Sequence, residues 1–206
     1  MYSEAKSNQV TIIGEIVSGF RFNHELYGEK FYMVDVKVSR LSESEDVIPV
    51  MVSDRLLNVS DECIGALVQV TGQFRSYNKS GELRKHLFLS VFARDIEIVT
   101  ELKSSAENNQ IYLEGYICKE PIYRKTPLGR EITDILLAVN RPYGKSDYIP
   151  CICWGRNARF AKEFTVGQRC AIQGRIQSRE YTKKISEELT ETKVAYEVSL
   201  SRLEVL

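Results

Sequence analysis

A chain of 206 residues that is 43% hydrophobic and holds only 12 Gly and 5 Pro can build a packed core, which excludes a disordered, collagen-like or low-complexity polymer. No run of about 18 or more apolar residues occurs, and the polar stretch Met1 to Asn8 lacks the apolar segment of a secretory signal, so no membrane span is expected and the expected location is cytoplasmic. The 28 basic and 28 acidic residues cancel overall but not locally: residues 1–105 hold 12 Lys/Arg against 15 Asp/Glu, residues 106–206 hold 16 against 13, so any phosphate-binding surface is expected in the second half.

In chain order, Asn8-Gln9-Val10 opens a strand with Gly14 in its middle, and Phe31 to Val38 alternates as a half-buried strand. Ile48-Pro49 lies on a third. A short helical pattern near Asp54 to Cys63 precedes strands at Val68 to Thr71 and Leu87 to Val91. A polar linker, Thr100 to Asn108, carries Ser104-Ser105 at its centre.

The order then repeats. Asn109-Gln110-Ile111, Gly115, Gly129, Val139, Arg141 and Ile149-Pro150 answer to Asn8-Gln9-Val10, Gly14, Gly28, Val38, Arg40 and Ile48-Pro49 at a constant shift of 101 (109 minus 8). A helical pattern near Asn157 to Phe164 follows. Gly167 and Gly174 answer to Gly65 and Gly72, one residue further along, and strands fall at Ala171 to Gly174 and Ala195 to Leu203. Five strands with a helix between the third and fourth, in each of two copies, point to an all-β chain. Its expected fold is two tandem five-stranded oligonucleotide-binding (OB) barrels, residues 1–103 and 108–206, with one short helix per repeat. Gly14 and Gly115 sit where a long first strand must bend around such a barrel.

The five cysteines, Cys63, Cys118, Cys151, Cys153 and Cys170, are an odd set without a secretory signal, which favours free thiols. Cys151 and Cys153 share one strand face, while both histidines, His24 and His86, lie in the other half. Buried structural thiols are expected, with no metal and no cofactor. Catalysis is not expected either: there is no Gly-rich phosphate loop, no carboxylate cluster on facing strands, and no His paired with a nucleophile.

Binding of single strands without sequence preference needs flat rings for bases and cations for phosphates. In the second copy Tyr143, Tyr148, Trp154 and Tyr181 fall at strand ends or in loops. Arg124, Arg141, Arg156, Arg175, Arg179 and Lys183, with Lys125, Lys145 and Lys184, are interleaved with them. Phosphate contacts from these cations would weaken steeply with salt.

Asn109 to Leu203 resembles the bacterial single-stranded DNA-binding protein family. The resemblance rests on Asn109 to Gly115, Glu120-Pro121, Arg124, Gly129, Leu137 to Arg141, Ile149 to Gly155, Gly167 and Gly174-Arg175-Ile176. It implies a non-catalytic protein of DNA replication, recombination or repair, whose four base-stacking positions fall on Tyr143, Tyr148, Trp154 and Tyr181. It also implies an assembly of four barrels, here a homodimer, with single-stranded DNA as partner and RNA as the alternative ligand. The first copy departs at the working positions: Ser42, Val47, Ser53 and Lys79 stand where the four aromatics are expected. Its expected role is structural or protein-contacting, with Phe20, Arg21, Phe22, Tyr77, Arg84 and Lys85 as a weaker substitute surface. The rival reading is a protein-interaction module of a replication or repair assembly with little nucleic-acid affinity, supported by the zero net charge and the stripped first copy.

Overall fold

The computed structural model describes residues 7–42, 44–59, 63–78, 87–101, 107–184 and 190–206. The first repeat supplies β1 (Asn8–Ile16), β2 (Arg21–Leu26), β3 (Glu29–Ser39), β4 (Glu45–Ser53), β5 (Leu67–Asn78) and β6 (Leu87–Ile98). The second supplies β7 (Asn109–Ile117), β8 (Ile122–Lys125), β9 (Glu131–Arg141), β10 (Lys145–Trp154), α1 (Gly155–Ala161), β11 (Arg169–Lys184) and β12 (Thr190–Val205).

In each repeat five strands close on themselves. The ring runs β1-β3-β4-β6-β5 in the first and β7-β9-β10-β12-β11 in the second, all antiparallel except the β4–β6 and β10–β12 joins. Period-two alternation turns one side of every strand inward. Ile12, Val34, Val36, Ile48, Val50 and Val70 fill the first barrel, and Leu113, Leu137, Val139, Ile149, Ile172 and Ile176 the second, all fully buried. At roughly 1.5–3 kcal/mol per buried branched side chain, these two cores account for why the repeat conserves its apolar positions. The chain is therefore two tandem five-stranded OB barrels.

Two details differ from the sequence expectation. A sixth, short strand flanks each ring: β2 pairs only with β3, and β8 only with β9. All their residues are exposed, so they carry no burial alternation by which periodicity could detect them. The second difference is helical. The only α-helix among the described residues is α1, whereas residues 54–56 of the first repeat form a turn. Residues 60–62 of that expected helix lie outside the described residues, as do Ser104-Ser105 of the linker.

Gly14 and Gly115 lie where the ring closes. A Cβ on Gly14 would stand 2.2 Å from the carbonyl oxygen of Lys37, and one on Gly115 2.5 Å from that of Ala138, so β1 and β7 approach the strands they close against too tightly for any side chain.

The barrels join edge to edge. β1 pairs antiparallel with β7, and Val10 faces Ile111, its own repeat counterpart. Asn8 then faces Leu113, and Asn109 faces Ile12, the counterpart pair. The join therefore has an internal two-fold axis through the Val10–Ile111 pair, as an isologous contact between two copies would.

Candidate nucleic-acid interface

β10 sorts its side chains cleanly. Ile149, Cys151 and Cys153 point into the core, which places Tyr148, Pro150, Ile152 and Trp154 on the outward side. Tyr148 is 45% exposed and Trp154 36% exposed. The register carries this outward side across neighbouring strands: Ile152 pairs with Ser199 of β12, and Ser199 with Arg175 of β11. Continuing up the β11–β12 ribbon, Gln177, Arg179 and Tyr181 alternate on the same side opposite Glu197, Ala195 and Lys193. A side-chain hydrogen bond ties β10 to β12 on this face. The Trp154 indole Nε1 donates to Ser199 Oγ at 3.1 Å, which holds the ring across the β10–β12 join. Buried indole N–H groups need such a partner, and here it also orients the ring.

Tyr143 is 99% exposed at the tip of the β9–β10 hairpin. It and Gly144 both have positive φ (63° and 67°), the backbone of a tight primed hairpin turn. The second position suits glycine; a tyrosine in the first is strained and displayed to solvent. Tyr181 is half-buried, with the Arg179 guanidinium 6.0 Å from its ring centroid. Thus Tyr148, Trp154 and Tyr181 lie on one continuous outward face, and Tyr143 crowns the hairpin that leads into it.

The cations separate into two sets. Arg124 pairs with Asp134 at 2.9 Å on β9. Arg141 pairs with the fully buried Asp147 at 3.2 Å, and Arg175 with the buried Asp46 of the first barrel at 3.5 Å. Burial, with Arg40 nearby, pushes the Arg175 guanidinium down, while Asp46 opposes the shift. These three guanidiniums are engaged with carboxylates. Arg156 and Arg179 are exposed and have no carboxylate ion-pair partner among the described residues. The side chain of Lys183 lies outside the described residues; its backbone continues β11 opposite Glu191.

Arg141 and Arg175 belong to two related clusters at the barrel junction that the sequence did not reveal. In one, Asp46 accepts the backbone N–H of Ser178 at 2.6 Å and pairs with Arg40, which also donates to the Ser178 carbonyl at 3.1 Å. In the other, Asp147 accepts the backbone N–H of Ser76 at 2.7 Å and pairs with Arg141, while Ser76 Oγ accepts the backbone N–H of Tyr148 at 2.8 Å. Asp46 and Asp147 are repeat counterparts, as are Arg40 and Arg141, a signal visible in the shift of 101 once a junction is sought. A groove of about 740 Å³ runs along this junction, lined by Thr11, Leu41 and Ser42 from the first barrel and Tyr112, Arg175 and Ser199 from the second. It opens beside the Trp154 partner.

At the counterpart positions of the first barrel, Ser42 is exposed, Val47 is partly exposed and Ser53 is buried with its hydroxyl donated to Glu29. Lys79, Arg84 and Lys85 lie outside the described residues. Phe20 packs against the core, and Arg21 pairs with Asp35 at 2.9 Å, so neither presents a free surface group. Of the cysteines, Cys151, Cys153 and Cys170 are buried free thiols, whereas Cys63 and Cys118 are half-buried. No helix of the described residues is long and apolar enough to cross a membrane.

Residues 108–205 match the model of the single-strand binding protein family. Over 96 residues the chain is 32% identical to single-stranded DNA-binding protein 2 of Listeria innocua, covering 43% of this chain and 60% of that relative. It is 31% identical to single-stranded DNA-binding protein A of Bacillus subtilis, covering 43% and 56%. The chain thus spans little more than half the length of these relatives. The solved structure of the single-stranded DNA binding protein from Thermus aquaticus aligns over 97% of this chain and 92% of its own, with TM-score 0.75 at 20% identity, a likeness of fold that includes both barrels. The sequence likeness to the single-strand binding protein family thus falls on the second barrel, residues 108–205, and the likeness of fold to the Thermus aquaticus structure spans both barrels of the tandem.

Proposed function

We propose that the chain binds single-stranded DNA without turnover, through the outward face of its second barrel, as a component of replication, recombination or repair. The observation that carries this reading is Trp154, partly exposed and braced by Ser199, on one face with Tyr148 and Tyr181. Bases stack on these rings and on Tyr143, each contact worth about 1–3 kcal/mol by alanine substitution. Arg156 and Arg179 supply the phosphate contacts that remain once Arg124, Arg141 and Arg175 are paired. The relatives' names support DNA as the ligand. The chain divides into a first barrel, residues 1–103, with a structural or protein-contacting role, and a second, residues 108–206, that binds the strand. Four barrels assemble when two chains associate as a homodimer, an expectation that sedimentation of a lone monomer would contradict.

The salt dependence of binding tests the division of labour. Each phosphate contact on a single strand contributes about −0.7 to the slope of log K against log salt, so Arg156 and Arg179 with the exposed Lys125 and Lys145 give a slope of about −1 to −3. Binding that favours oligo-thymidine over duplex with such a slope supports the reading. Equal affinity for duplex, or no binding to either, contradicts it and favours an interaction module.

A further inference from the structure

The first barrel lacks the aromatics of the second, yet its outward face is not bare. The repeat registers make the comparison position by position. Phe31 faces Ser53 as Ile132 faces Trp154, and Met51 pairs with Phe92 as Ile152 pairs with Ser199. The large ring and the small hydroxyl have therefore exchanged places. Where the second barrel has Trp154 and Ser199, the first has Ser53 and Phe92. Higher on the ribbon, Tyr77 faces Phe88 where the second barrel has Arg179 facing Ala195, so the first barrel carries rings at a level where its neighbour has none. Counting fixed positions from one copy to the other registers this as a loss. The structure shows a displacement by one strand.

The displaced rings form an ordered series across the sheet. His24 stacks on Phe31 with centroids 4.7 Å apart and planes within 7°. Phe31 meets Phe92 at 5.8 Å, and the Arg75 guanidinium lies 4.0 Å over the Phe92 ring. Two residues along β5, Tyr77 stacks on Phe88 at 5.5 Å and 16°. Tyr77 and Phe88 are 38% and 37% exposed, and His24 is exposed, so the ends of the series are open although Phe31 beneath it is covered. These side chains stand on the side of the sheet opposite the core residues Val50, Phe74 and Val91, so packing the barrel does not require them. The second barrel abuts this strand: Ser76, whose side chain points the opposite way from Arg75 and Tyr77, accepts the backbone N–H of Tyr148.

We propose that the outward face of the first barrel, built on Arg75, Tyr77, Phe88 and Phe92, is a second binding surface for single-stranded nucleic acid, displaced by one strand from the surface of its neighbour. Parallel flat rings and a guanidinium held over one of them are what unpaired bases and a phosphate backbone engage together. The proposal rests on the single-strand-binding reading above.

Photo-crosslinking separates the two. The full chain is bound to a bromodeoxyuridine-substituted oligonucleotide, irradiated, and the adducts mapped by mass spectrometry. Alongside, a Tyr77→Ser/Phe88→Ser variant, checked by thermal melting, is titrated with long oligo-thymidine. The expected result is adducts on both the β5–β6 segment and the Trp154 segment, and about a tenfold or greater loss of affinity in the variant, the effect of one or two lost stacking contacts. Adducts confined to the second barrel overturn the proposal and leave the function of that barrel intact. Absence of adducts anywhere, with no binding by the unaltered chain, overturns both. Adducts on both segments stand as support even where the variant fails to fold.

Discussion

Asp147 of the second barrel accepts the backbone N–H of Ser76 in the first, 2.7 Å away, across the junction between them. Asp46 returns the contact by accepting the backbone N–H of Ser178 at 2.6 Å. Each barrel thus lends a buried carboxylate to the other, on either side of the axis through Val10 and Ile111. The junction both fixes the barrels and consumes cations, Arg141 and Arg175, that would otherwise face phosphates.

Burial raises the Asp147 carboxyl above its ordinary value of 3.8, against the opposing pull of Ser76 and Arg141. The folded chain then keeps this proton to higher pH than the unfolded chain does. Stability contributed by Asp147 is accordingly fullest below 3.8 and falls as pH rises through the raised value. Denaturant midpoints of the wild type relative to Asp147→Asn should therefore decline with rising pH across that acidic window and level off above it. An opposite slope would mean that Arg141 dominates over burial.

Tyr143 sits in the left-handed region, which costs a residue with a Cβ about 1–2 kcal/mol. Asn tolerates that conformation better. Tyr143→Asn should leave the melting temperature unchanged or raise it while weakening oligo-thymidine binding severalfold. A loss of stability with unchanged binding would make Tyr143 a structural residue.

A Cβ on Gly174 would stand 2.2 Å from the carbonyl oxygen of Ser199, at the bulge between Gln173 and Gly174. Gly174→Ala should destabilise the fold by about 1–3 kcal/mol, the range for overpacking, by urea denaturation. Because Ser199 braces Trp154, the same variant should shift the tryptophan emission maximum without any ligand.

Burial pushes Cys153 up to about 12 and Cys170 to about 11, and Cys151 well above the ordinary thiol range. Since only the thiolate reacts, these three should resist a thiol reagent near neutral pH until the chain is unfolded. Rapid labelling in the native state should reach no further than Cys63 and Cys118, counted by intact mass.

The fold was legible because its determinants are local and repeated. Glycines at Gly14 and Gly115, the Ile-Pro pairs and the alternating apolar positions each report one strand, and their recurrence reports the second barrel. β2 and β8 were not legible, since strands exposed throughout carry no periodic signal. Trp154 and Tyr148 were legible as ring positions, but the partner Ser199 lies 45 residues away and depends on register. The fate of Arg141 and Arg175 was hidden for the same reason, because a sequence shows that a residue is basic and not whether a carboxylate of the other barrel has claimed it. Phe92 and Phe31 look like core in isolation. Only the pairing Met51–Phe92 puts Phe92 outside the barrel.

Trp154 is the only tryptophan in the chain, so its fluorescence reports the proposed platform directly. Titration with short oligo-thymidine should quench its emission strongly and saturably, with recovery on adding salt. Trp154→Ala should weaken binding about fivefold or more, as expected for one lost stacking contact. Emission that stays unchanged through the titration, in a chain that shows no gel shift with the same oligonucleotide, would contradict base stacking on this face.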